Sequence, residues 1–90
     1  LVADMQFKSG FVVPLHQHVN EQVTLVKSGL IRFRLGADRS EVIDVHAGEV
    51  LFIPSNLPHE AEMIGDVEEM DVFTPLREDW LSGTDDYLRR

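Results

Sequence analysis

No cysteine occurs in the 90 residues. That removes disulfides, thiolate metal ligands and thiol nucleophiles together, so a metal would have to be held by His, Asp, Glu, Gln or Asn. Basic side chains are scarce as well. Eight Lys and Arg stand against 16 Asp and Glu, a formal charge of −8, which argues against nucleic acid or an anionic membrane as partner. A small anionic ligand remains compatible, because one local arginine outweighs a distant global field. No apolar run approaches the roughly 20 residues of a membrane-spanning helix, and no signal-peptide pattern opens the chain, so a cytoplasmic location is expected. The chain begins at Leu1 rather than methionine, which leaves room for residues upstream. No linker, repeat or low-complexity stretch divides it, and residues 1–90 are expected to form one small domain.

Apolar residues make up 43% of the chain, enough for a folded core. Glycines at 10, 29, 36, 48, 65 and 83 fall between apolar stretches and read as turns. Between them the pattern alternates. Ala3, Met5 and Phe7 share one face of "ADMQFK", and Ile31, Phe33 and Leu35 oppose Arg32 and Arg34 in "LIRFRLG". "VLFIP", ending at Pro54, reads as a buried strand, and "EEMDVFTP", ending at Pro75, as another. Short strands with turn signals between them predict an all-β sandwich or barrel. The one helical signal is "TPLREDWLSG", with a threonine to cap, a proline in the first turn and a glycine at the stop. A short C-terminal helix is expected there, packed on the barrel or on a second subunit.

Two histidines stand two apart in "VVPLHQHVNEQ". On a strand His16 and His18 face the same way and can aim ring nitrogens at one ion. Gln22 has the same parity, with a turn at Val19–Asn20 between. The pair alone fits a solvated strand face at least as well as a metal site. Glu21, next to Gln22, is expected to point away; His46 reads as a turn residue, Met63 as core, and the acidic run "GDVEE" as surface.

A second block changes the balance. Gly10, His16, His18, Gln22 and Gly29, followed by Gly48, Pro54 and His59, stand at the spacing of the two motifs of the cupin superfamily, which the chain resembles. Gln22 stands where that pattern usually has Glu, and Met63 where it has Asn. The resemblance implies a cupin barrel (a double-stranded β-helix, or jelly roll) for nearly the whole chain. It also implies one divalent transition metal, zinc, nickel, iron or manganese, held by His16, His18, Gln22 and His59. Three imidazoles and an amide leave the ion its full positive charge, which suits Lewis-acid work on an anion better than the two-histidine, one-carboxylate set of many oxygen-activating iron sites.

"MDVFTPLREDW" is the other informative stretch. By spacing it holds a strand-end carboxylate, a core phenylalanine and an arginine available to its acidic neighbours Glu78 and Asp79. It also resembles the C-terminal signature of KdgF-type pectin-degradation cupins, which convert 4,5-unsaturated monouronates from pectate and alginate lyases into linear 4-deoxy-5-keto sugar acids. That resemblance gives Asp71, Phe73 and Arg77 catalytic or pocket-lining roles, a small anionic sugar acid as substrate, and a homodimer. Glu60 departs from the family's usual small residue. The rival readings are a non-catalytic sugar- or metabolite-binding cupin and another metal-dependent isomerase or oxygenase.

Overall fold

The computed structural model describes residues 1–74, and within them the chain is all β, with no helix. Six strands follow in order: β1 (Val2–Phe7), β2 (Val12–His16), β3 (Gln22–Leu35), β4 (Glu41–His46), β5 (Val50–Ile53) and β6 (His59–Phe73). The expected helix and Arg77 lie outside the described residues. All pairings are antiparallel.

The long strands β3 and β6 form the spine, paired from Gln22↔Phe73 at one end to Leu35↔His59 at the other. Each is bent near its middle, and each half takes a different outer neighbour. The first half of β3 pairs with β5 and its second half with β4; the first half of β6 pairs with β2 and its second half with β1. Two four-stranded arms result, β1–β6–β3–β5 and β2–β6–β3–β4, whose inner faces meet in the core.

The bends correct the expectation for two glycines. Gly29 and Gly65 lie inside strands rather than in turns, with φ of +82° and +81°. Along β3 the inward residues are Gln22, Thr24 and Val26, then Ile31, Phe33 and Leu35, so parity reverses across Gly29. The β3–β6 register shifts on both sides of Ser28 absorb this reversal. A Cβ at Gly29 would collide with the Asp66 carbonyl oxygen. Both conformation and space therefore require glycine there. Gly29→Ala is expected to lower stability by about 2–4 kcal/mol, read as a lower urea midpoint; an unchanged midpoint would refute the close approach.

Alternation elsewhere is as the sequence predicts. Ala3, Met5 and Phe7 face inward opposite Asp71, Glu69 and Val67. Val26, Ile31, Phe33, Leu35, Val45, Ile53, Ala61, Met63 and Val67 form the buried core. The strand "VLFI" is only half buried: Ile53 is inside, while Val50 and Phe52 are 62% and 51% exposed. It lies at an edge, paired to β3 alone, so one face meets solvent. Arg32 and Arg34 sit on the outer face, Arg32 paired with Asp44 and Arg34 with Glu60 and Glu62. Glu60 also takes Arg39, so it points out of the barrel and does not narrow the cavity.

Candidate metal centre and active-site cavity

The second motif histidine is not on a strand. His16 ends β2, and His18 lies in the irregular stretch beyond it, so strand parity is not what aligns the two. A bulge turns His16: three steps from Val13 to His16 oppose two from Ala61 to His59, which places both residues on the core side. His18 is set by its neighbours. Its carbonyl accepts from the Asn56 amide at 2.8 Å, and Asn56 holds φ = +63° in the turn before His59. Asn20 ties the same loop to the end of β6, donating from its side chain to the Thr74 carbonyl at 2.8 Å. Asn20 and Asn56 were not singled out by sequence; an asparagine in a turn carries little signal by itself.

One ring nitrogen from each of His16, His18 and His59 lies within 4.8 Å of the others. Every Nδ1 is occupied: His16 on the Pro14 carbonyl at 2.8 Å, His18 on the Asn20 carbonyl at 2.9 Å and His59 on the Leu57 carbonyl at 2.8 Å. A carbonyl only accepts, so each Nδ1 carries the proton and each Nε2 offers a lone pair. This is the tautomer that metal-binding histidines adopt when the other nitrogen is anchored. His59 is 2% exposed, and its Nε2 is buried with no partner among the described residues. Burial holds its imidazole below the usual range; the Leu57 carbonyl opposes this, His16 and His18 reinforce it, and Asp71 opposes it.

Gln22 completes the group. Its Nε2 donates to Thr24 Oγ1 at 2.9 Å and to Asp71 Oδ1 at 3.3 Å, while Thr24 Oγ1 donates to the same Asp71 oxygen at 2.6 Å. Reversing the amide would set its oxygen against a carboxylate, so Asp71 fixes the orientation. Oε1 then faces His18 Nε2 at 3.1 Å. Both atoms are acceptors when Nδ1 of His18 is the protonated nitrogen. Such a contact calls for a cation between them, a proton or a metal ion. Three lone-pair nitrogens and an amide oxygen fit a metal ion, and because the shell is neutral an ion held there would keep its charge. Glu21 is not grouped with His16, His18 and His59; His46 pairs with Glu49 on the surface, and Met63 is core.

The cluster opens into a cavity of about 280 Å³ lined by both arms. This is just under the ~300–1,000 Å³ common for small-molecule sites, room for one small metabolite. Asp71 and Phe73 line it, with Phe73 edge-on to His18 at 5.7 Å between centroids. Met5, Phe7, Val13 and Phe33 supply apolar wall.

One lining residue contradicts the sequence reading. Glu69 belongs to the acidic run expected at the surface, yet it faces inward and is 5% exposed. In register it lies between Met5 and Val26. Burial, and then the Asp71 carboxyl beside it, push its acid up to about 8. The signal was in the sequence: Glu69, Asp71 and Phe73 share one strand parity.

Known proteins share this fold. A family model described as the cupin domain matches residues 3–74. The chain belongs to the cupin family. Its fold is similar to that of a conserved protein of unknown function from Streptococcus pyogenes, with a TM-score of 0.74 and 17% identity, over 82% of this chain and 63% of that one. It is also similar to a single-site mutant of oxalate decarboxylase from Bacillus subtilis, with a TM-score of 0.73 and 25% identity, over 80% of this chain and 20% of that one. Another structure of that decarboxylase, concerned with its Mn(II) centers, gives a TM-score of 0.72 at the same 25% identity. The cupin thus spans less than two thirds of each of these proteins. No curated protein matches the sequence. No helix among the described residues is long and apolar enough to cross a membrane.

Proposed function

We propose that this cupin is a metal-dependent enzyme that linearises 4,5-unsaturated monouronates to 4-deoxy-5-keto uronates. The observation that carries the reading is the Gln22 amide, turned by Thr24 and Asp71 so that its oxygen joins three imidazole nitrogens in an uncharged shell beside an acid-bearing cavity. A divalent ion held by His16, His18, Gln22 and His59 would supply Lewis-acid stabilisation of negative charge developing on substrate oxygens.

The reaction needs proton traffic rather than redox chemistry. The hemiacetal hydroxyl at C1 loses its proton, the bond from C1 to the ring oxygen breaks, and the resulting C5 enol takes a proton at C4. Asp71 is the base in this scheme. It lines the cavity, and its Oδ1 is anchored by two donors. Phe73 stands edge-on to His18 and walls off water. Arg77, beyond the described residues, is assigned by the KdgF-type signature to a forked pair with the sugar carboxylate. A cytoplasmic homodimer is part of the same proposal.

The test follows the absorbance of the 4,5 double bond of unsaturated galacturonate. Metal-loaded protein is expected to remove it faster than the spontaneous rate, and chelated protein to add nothing. No acceleration by protein with confirmed metal would refute the assignment. The likeness to oxalate decarboxylase favours a second reading, decarboxylation of a small dicarboxylate, which release of carbon dioxide from oxalate would establish instead.

A further inference from the structure

Asp71 alone must remove one proton and deliver another, yet its Oδ1 is fixed by Thr24 and Gln22. A second carboxyl stands beside it. Glu69 is two residues earlier on β6, faces the same way and lines the same cavity. No salt bridge among the described residues reaches it. Its flanking residues in register, Met5 on β1 and Val26 on β3, are apolar. A buried glutamate with no cation to offset it, sharing a hydrogen bond with the Asp71 carboxyl beside it, costs stability, and such groups concentrate where chemistry is done.

We propose that Glu69 is the second catalytic carboxyl of this cavity, the acid that delivers the proton to substrate carbon while Asp71 acts as the base. The assignment rests on the uronate reading. Asp71 takes the proton of the C1 hydroxyl. The C1–O5 bond breaks as the C1 carbonyl forms, and its electron pair stays on O5, leaving the C5 enolate. C4 of that enolate takes the proton from Glu69, and the C5 ketone results. Glu69 is then ionised and Asp71 protonated; passing that proton from Asp71 to its strand neighbour Glu69 restores both. The sum is an isomerisation that needs no oxidant, reductant or further reactant.

The pKa of Glu69, raised to about 8 by burial and then by Asp71, is consistent with a carboxyl that is protonated at neutral pH. The ionisable groups facing it are Asp71 on its own strand and the cluster of His16, His18 and His59 across the cavity; the inward residues of β1 and of the adjoining half of β3 carry no charge.

The experiment compares metal-loaded wild type with Glu69→Gln in two arms. In turnover, the variant is expected to lose about 100-fold in kcat, within the range of general-acid catalysis, with KM and metal content unchanged. The wild-type rate falls on the alkaline side as Glu69 loses its proton, and the variant lacks that limb. The second arm needs no substrate. A carboxyl whose value is about 8 folded and 4.5 unfolded binds its proton more tightly in the folded state. Wild-type stability contributed by this group is therefore full below about 4.5 and lost as pH rises to about 8, whereas Glu69→Gln shows no such decline. If Glu69→Gln does not fold, Glu69→Asp takes its place, with a smaller loss of kcat and the alkaline limb retained. Wild-type activity matched by either folded variant would overturn the role of Glu69 and leave the uronate reading intact. An inactive wild type would overturn both, and the pH-stability arm would then show whether the protonated carboxyl exists at all.

Discussion

His59→Ala is expected to abolish stoichiometric metal binding. His59 Nε2 is buried and unpartnered, while its Nδ1 is committed to the Leu57 carbonyl, so the ring has no other polar task inside the barrel. Changes that merely disturb a ligand's support cost ~10–100-fold in affinity; removing the ligand is expected to cost on the order of 10²-fold or more. Metal analysis of dialysed protein reads this directly. A second readout is thermal. Metal that binds only the folded state raises the unfolding midpoint with its concentration, so the wild type gains and the variant does not. A variant that keeps one equivalent of metal at wild-type affinity would disprove the three-histidine site.

Asp71→Asn is the second large effect, expected to lower kcat by ~10²–10⁴-fold. Asparagine preserves shape and still offers an oxygen to Thr24, so the fold and the orientation of Gln22 survive. What it loses is the ability to take a proton. Metal content therefore stays near one per chain, which separates loss of chemistry from loss of the site. Turnover at the wild-type rate would remove Asp71 from the mechanism. Lost metal together with lost rate would recast it as a residue that only positions Gln22.

Much of this architecture was legible in the sequence, for a physical reason. A half-buried strand must alternate, so Ala3–Met5–Phe7 and Ile31–Phe33–Leu35 announce their faces in the sequence itself. The candidate ligands were named through the resemblance to the cupin motifs, and the structure brings His16, His18, Gln22 and His59 together. The failures are equally specific. Gly29 and Gly65 looked like turns because glycine marks any positive φ, whether the chain reverses there or only bends. The HxH spacing brings His16 and His18 into one cluster for a different local reason than strand parity, since His18 lies beyond the strand. Glu69 was masked by composition: an acidic run reads as solvated unless each residue is assigned its side of the sheet, and Val67 in the same run is core.

The two interior glycines also have a mechanical meaning. His59 stands on one arm of the folded ribbon, while Gln22, Asp71 and Glu69 stand on the other. Gly29 and Gly65 mark the bend between them, and the Asp66 carbonyl oxygen lies where a side chain at position 29 would stand. Any side chain there would have to push the two spine strands apart at the bend, so a residue far from the ligand constrains how the two halves of the site meet.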